Sequence, residues 1–254
     1  VNLGELKSFL FELFGAEKLA DETEWGFTVE EKQEIRWIGY ATNLTPETVE
    51  AAAKARVDLL LTHHDAWDFI YGMREFCQDE MRHRGMSHLF VHLPLDDADF
   101  GTSASLVRAL GATVTERTHQ EGVFCCGAVG EFSHPVQFQV LAKRLEALLA
   151  EPVQAWRAHD RMINRICAVT GGGHLTSDLR EAVDLGCDAY ITGEKVIYTV
   201  QYARFAGIDL FVGSHTFTEI LGVQNLARKI KDAFPGVYIE RIPEAHLETG
   251  GRTS

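Results

Sequence analysis

A chain of 254 residues with 46% hydrophobic side chains is long enough to bury one large core or two modest ones, so no disulfide or metal staple is needed for stability. Its formal net charge of -13, without any basic run, argues against a broad phosphate-backbone contact surface and therefore against nucleic acid as a partner. Five cysteines, two of them adjacent (Cys125, Cys126) and none in C-x-x-C spacing, argue against both a disulfide framework and a thiolate zinc site.

In chain order, "LGELKSFLFELF" has the periodicity of an amphipathic helix over 3–14. A polar loop follows, then the strand "EIRWIGYATN" and a helix from Pro46 capped by Thr45. The next strand, 57–62, leads into a helical stretch over 67–85, the strand "HLFVHLPLD" and the helix "SASLVRALG". The segment "ATVTERTHQEG" is polar and patternless, which marks a boundary between two series. The second series runs through the strand "GVFCCGAVGEF", the helix "PVQFQVLAKRLEALLAE", the strand "INRICAVTGGG", the helix "TSDLREAVDLG" and the strand "DAYITG". It closes with the helix "KVIYTVQYARFAG", the strand "IDLFVGS", the helix "TEILGVQNLARKIKDAF" and the strand "VYIERIP".

Continuous apolar strands separated by amphipathic helices predict an α/β protein with mostly parallel mixed sheets in two lobes. The expected lobes are 1–112, with the C-terminal strand at about 236–243 rejoining it, and 120–235; residues 244–254 are expected to be a disordered tail in which His246 has no role. No apolar run reaches 18 residues, and the N-terminus lacks a basic region and a cleavage site, so a cytoplasmic protein without a membrane partner is expected.

Ligands of open α/β sheets bind at the carboxyl ends of strands, and three strands here end on metal-type donors. His63 and His64 follow the second strand, Asp96 ends "HLPLD", and His215 follows "IDLFVGS". Glu219 lies four residues after His215, on the same helix face. Three imidazoles and two carboxylates exceed one tetrahedral zinc site with an open position but suit two divalent ions. Each donor also has an ordinary structural explanation: a half-buried histidine, a helix cap for Asp96, a first-turn acid for Glu219. His92 is expected as a supporting partner or a core group. His83, His88, His119, His134, His159 and His174 are expected at the surface or in satisfied structural positions. Gly171, Gly172 and Gly173 suit an anion at a helix N-terminus or a tight turn equally well.

"THH" after an apolar strand, "HLPLD" after the next, "GGG" before a helix, "GCDAYITGE", and "GSH" with an acid four residues past the histidine together resemble the NIF3-like dinuclear metal proteins, also called GTP cyclohydrolase I type 2 homologues. The resemblance spans nearly the whole chain. It implies two related α/β lobes with the metal site between them, five ligands (His63, His64, Asp96, His215 and Glu219), bridging by Asp96 and Glu219, and a homohexamer. The chain departs from the family pattern at Asp65, Ala66 and Trp67, where a proline and apolar residues are common. It departs again at Val169, Thr170 and Gly171, where Cys-Ser-Gly is common.

Two function classes follow. The first is a metal-dependent hydrolase in which a metal-bridging hydroxide attacks a nucleotide-like, cyclic amide or phosphoester substrate, with Glu194 of "ITGEK" as the carboxylate for proton transfer. The other is a non-catalytic metal-binding, metal-trafficking or regulatory protein. Mixed imidazole and carboxylate donors accept zinc, iron or manganese alike.

Overall fold

The computed structural model describes residues 1–21 and 23–248. The first elements are α1 (Leu3–Phe14), β1 (Trp25–Val29), β2 (Trp37–Asn43), α2 (Pro46–Ala55), β3 (Leu59–His64), α3 (Met73–His83), β4 (Ser87–Val91) and α4 (Leu93–Asp97). They are followed by α5 (Thr102–Ala109), β5 (Ala112–Glu121), β6 (Phe124–Val136), α6 (Phe138–Leu149), β7 (Gln154–Trp156), β8 (Ile163–Val169) and α7 (Thr176–Asp184). The chain closes with β9 (Ala189–Thr192), α8 (Ile197–Ala206), β10 (Asp209–Val212), α9 (His215–Ala233) and β11 (Tyr238–Arg241). Two compact units result, one from Val1–Ala98 with Gly222–Glu244, the other from Asp99–Leu221 with Ala245–Ser254.

The first unit is a five-stranded sheet in the order β1-β4-β3-β2-β11. Strands β2, β3, β4 and β11 run parallel, and β1 lies antiparallel on the β4 edge. The middle strand β3 is buried at every residue, as a parallel strand covered on both faces must be. Its neighbours pack Val49, Ala52, Cys77 and Met81 from α2 and α3 against Leu60 and Ala41. Helix α2 begins where Thr45 accepts the Thr48 amide and Pro46 occupies the first turn, and it stops at Arg56, whose φ of 61° is left-handed.

The second unit is a six-stranded sheet in the order β5-β6-β8-β9-β10-β7. Strands β8, β9 and β10 are parallel; β5, β6 and β7 add antiparallel pairs. Alternate residues of the central strands feed two cores. Ile166, Ala168, Ala189, Ile191 and Phe211 pack with α5 and α6, while Cys167, Val169, Tyr190, Leu210 and Val212 pack with α7 and α8.

Several elements differ from the sequence expectation. Residues 112–121 form β5, an edge strand paired with β6, so half of its side chains are exposed and its sequence is polar. The loop expected before β2 contains β1, and β7 is a three-residue strand too short to leave a pattern. Strand β3 extends through His64, and β4 stops at Val91. Of the expected tail, 249–254 lie outside the described residues, whereas Glu244 and His246 lie within them and are hydrogen-bonded. None of the five cysteines is in a disulfide, and Cys77, Cys126, Cys167 and Cys187 are buried. Among the described residues no helix is long and apolar enough to cross a membrane.

Candidate metal centre

In the first unit, His63 and His64 are the last two residues of β3 rather than residues beyond it, because pairing with β2 continues through Asn43 and His64. Their ring centroids lie 4.5 Å apart although successive strand residues ordinarily point to opposite faces. Both rings are buried, and both have one nitrogen committed. His63 Nδ1 is 2.9 Å from the Val91 carbonyl oxygen, and His64 Nδ1 is 2.9 Å from Asn43 Oδ1. A carbonyl oxygen only accepts, so each Nδ1 carries a proton and Nε2 is the nitrogen that a metal would use.

Asn43 cannot turn its amide the other way without losing a second contact, since its Nδ2 donates to Glu244 Oε1 at 3.1 Å. Glu244 also accepts the Thr42 and Asn43 amides at 2.7 and 3.0 Å. Burial pushes the Glu244 carboxyl upward, and these hydrogen bonds work against that shift.

Asp96 sits on the short helix α4, not at a strand end. The chain leaves β4 at Val91, and Pro94 enters the first helical turn, where no amide donor is needed. Its Oδ1 lies 3.4 Å from His63 Nε2. Two electron-pair donors at that separation are reconciled by a cation, either a proton or a metal. His92 is the residue before α4, and its ring is 5.0 Å from His63 and 5.2 Å from His64. Nitrogens of His63, His64 and His92 lie within 4.8 Å of one another, a grouping that can hold a metal ion. Glu24 engages His92 Nδ1 at 2.7 Å.

His88 shows what a purely structural histidine looks like here. Fully buried between Thr28 and Thr62, it has both ring nitrogens hydrogen-bonded, at 2.6 and 2.8 Å, and burial lowers its pKa to about 3. It is neutral at any ordinary pH.

In the second unit, His215 opens α9 and Glu219 follows one turn later, with Glu219 Oε1 3.4 Å from His215 Nε2. His215 Nδ1 bonds Glu194 Oε1 at 2.6 Å, so this ring too turns Nε2 toward a carboxylate. Burial alone would lower the His215 pKa, but Glu219 and Glu194 outweigh it and raise it to about 11. The same hydrogen bond from His215 draws Glu194 down. Glu194 Oε2 is also 3.3 Å from His174 Nδ1, which places His174 beside the site instead of on an unrelated surface.

The three-glycine turn explains how the Glu219 carboxylate fits. Gly171 has φ of 63°, and a Cβ there would fall 2.0 Å from Glu219 Oε1 and 2.8 Å from His215 Nε2. A side chain at 171 would occupy the space of these two groups. Gly173 is needed for a different reason, because a Cβ would collide with Val169 at 2.6 Å in the tight turn. The start of α9 is held by Glu151, whose Oε1 accepts the Ser214 amide at 2.8 Å and whose Oε2 is 3.0 Å from His246 Nδ1. His246 stacks on Phe217 at 4.0 Å, so it has a structural role that the sequence did not suggest.

Sequence reasoning named His63, His64, Asp96, His215 and Glu219 as candidate donors but did not single out Asn43, Glu244, Glu24 and Glu151, whose side chains hold or flank them. Asn43 alone left a trace: it ends the strand beside β3, in register with His64.

The match to known proteins is extensive. Residues 1–246 fit the family model Duf34/NIF3 (NGG1p interacting factor 3). A Pyrococcus horikoshii protein named GTP cyclohydrolase 1 type 2 homolog is 28% identical over 236 residues, covering 91% of this chain and 93% of that one. A Halobacterium salinarum protein of the same name is 31% identical over 201 residues, covering 76% of this chain and 78% of that one. Among solved structures, a Thermus thermophilus protein superposes with a TM-score of 0.82 at 22% identity, covering 96% of this chain and 99% of that one. Reduced HcgD from Methanocaldococcus jannaschii superposes with a TM-score of 0.79 at 17% identity, covering 96% and 97%. The same pattern of histidines, carboxylates and glycines that shapes these two groups of donors is therefore carried on the fold of a known family, and the chain belongs to the Duf34/NIF3 family.

Proposed function

We propose that this protein holds two divalent cations per chain through His63, His64, Asp96, His215 and Glu219 and acts as a metal-dependent hydrolase. One observation carries the metal reading. Each of the three imidazoles has Nδ1 tied to an acceptor, at Val91, Asn43 or Glu194, which makes Nε2 the nitrogen a cation would use, in His215 by displacing the proton that Glu219 and Glu194 otherwise hold on the ring. Metal-binding histidines are oriented in this way, by a carbonyl or carboxylate on the far nitrogen.

Bound divalent cations of this kind supply an acidified water and polarise an electrophilic carbon or phosphorus centre. The protein's own part is to hold the rings. Val91 and Asn43 fix His63 and His64, and Glu194 keeps the proton on His215 Nδ1. Glu194 Oε2, near His174 Nδ1, is the oxygen left to move a proton. Asp96 and Glu219 would each supply a carboxylate beside a histidine, with an oxygen 3.4 Å from Nε2 of His63 and of His215 respectively. The nucleotide-like substrate class comes from the name borne by the P. horikoshii and H. salinarum relatives; cyclic amides and phosphoesters suit the same chemistry. A homohexamer belongs to the same proposal, supported by the sequence resemblance, and light scattering in solution tests it.

One observation favours the alternative of a metal-binding protein without catalysis. Glu194, the carboxylate expected to be spare, already bonds His215. Elemental analysis with anomalous scattering separates the readings in sequence. Two ions per chain, lost together in His63→Ala and Glu219→Ala, support the metal centre, and one ion or none contradicts it. Turnover by the metal-loaded protein across nucleotide, cyclic amide and phosphoester panels supports the hydrolase. Its complete absence leaves the binding protein.

A further inference from the structure

Beyond β11, every second residue is engaged with the protein. Ile242 is buried in the first-unit core, and its amide donates to the Tyr40 carbonyl at 2.8 Å. Glu244 accepts the amides of Thr42 and Asn43 and the side-chain amide of Asn43. His246 and Glu248 continue the series, whereas the intervening Pro243 and Leu247 are exposed. A period of two is that of a chain laid along a surface with one face inward.

The chain passes from the first unit to the second between Glu244 and Ala245, so members of this short series act on different donors. Glu244 acts on the first group, through the Asn43 amide whose Oδ1 takes His64 Nδ1. His246 and Glu248 act on the second. His246 Nδ1 is 3.0 Å from Oε2 of Glu151, whose other oxygen takes the Ser214 amide, and Glu248 Oε1 accepts the His215 amide at 2.7 Å. Amides at a helix start have no partner within the helix, and carboxylates there also suit the positive end of its dipole. The Glu151 side chain is fully buried, so its second oxygen needs the donor that His246 supplies.

We propose that residues 244–248 are a positioning strap for both groups of candidate metal donors. Glu244 sets the ring of His64 through Asn43, and His246 and Glu248 set the backbone from which His215 and Glu219 project. The inference rests on the metal reading of those donors and adds to it residues that touch no ion. One five-residue segment thereby governs how firmly cations are held in each unit, although its own side chains lie outside the donor set.

Titration of the full chain with cobalt(II) against a chromophoric chelator tests this, with the visible spectrum of the bound ion recorded and folding checked by circular dichroism. Glu244→Leu and His246→Ala are each expected to weaken cobalt binding about 10-fold or more and to alter the spectrum. Glu248→Ala is expected to act in the same direction but less, its residue being exposed. Glu244→Gln keeps an acceptor for Asn43 and His246→Asn keeps a donor for Glu151, so both are expected to retain most of the affinity. Should Glu244→Leu not fold, Glu244→Asp, one methylene too short to reach Asn43, is expected to show the same weakening. Unchanged cobalt affinity in His246→Ala or in the folded Glu244 variant, with wild type still binding, overturns this inference alone. If Glu244→Gln and His246→Asn lose as much as their partners, the segment supplies packing and not positioning, and the inference falls. A wild-type chain that takes up no cobalt overturns the metal reading and this inference together.

Discussion

At the residue scale, the candidate donors are defined less by their identity than by what holds their far atoms. Asn43 is not one of the candidate donors, yet it decides which nitrogen of His64 carries the proton. Asn43→Ala is expected to leave the fold intact and to weaken metal binding by about 10- to 100-fold, the range seen when such orienting partners are removed. Competition with a chromophoric chelator checks it. Gly171→Ala is expected to act from the opposite side by pushing on Glu219, whose Oε1 occupies the space of the new methyl group. Metal loss without any change at the first-unit donors is the expected outcome, read by elemental analysis. These roles were only partly legible in the sequence. The imidazoles and carboxylates are recognisable by type and by position near strand ends, whereas Asn43 meets Glu244 across 201 positions, a pairing that no local pattern encodes.

His88 gives a pH prediction at the same scale. Its pKa is lowered from 6.5 to about 3 by burial, so between those values the unfolded chain binds a proton that the folded one does not. Stability therefore rises with pH through this window: the contribution is complete above about 6.5 and is lost as pH falls toward 3. Urea unfolding followed from pH 7 to pH 4 is expected to show a falling midpoint, with a shallower fall in His88→Gln. An identical slope in the variant would remove His88 as the cause.

At the scale of elements, strand β3 joins stability to function. Leu59, Leu60 and Leu61 are fully buried, and the same strand delivers His63 and His64. Leu60→Ala is expected to cost about 2–5 kcal/mol, measured by denaturant unfolding, because a central strand covered on both faces has little room to close the cavity. A substitution on edge strand β5 such as Glu116→Gln, half-exposed and paired with Arg165, is expected to cost less than about 1 kcal/mol. The contrast also explains which elements the sequence revealed. Buried parallel strands carry continuous apolar runs and stand out, as residues 59–61 of β3, 166–169 of β8 and 210–212 of β10 do. Edge strands β1, β5 and β7 have partners on one side and a mixed or polar pattern, so they resemble loops.

At the scale of the whole molecule, helix α9 begins in the second unit with His215 and ends in the first, and β11 then joins the first sheet beside β2. Ligands that bind only the folded state add to its stability in proportion to the logarithm of their excess, about 2.7 kcal/mol at 100 times Kd. Chelation is therefore expected to lower the thermal midpoint by several degrees, with recovery when zinc, manganese or iron is restored. An unchanged midpoint after verified metal removal would count against a bound cation. Taken by itself, the chain determined the α/β class and the types of the donors, because strand burial and helix periodicity are local and imidazole and carboxylate chemistry belongs to the residue. Only the tertiary structure decided which imidazole nitrogen is tied to an acceptor, why Gly171 must lack a side chain and what secures the start of α9. Those outcomes depend on hydrogen bonds and close approaches between segments that the sequence keeps far apart.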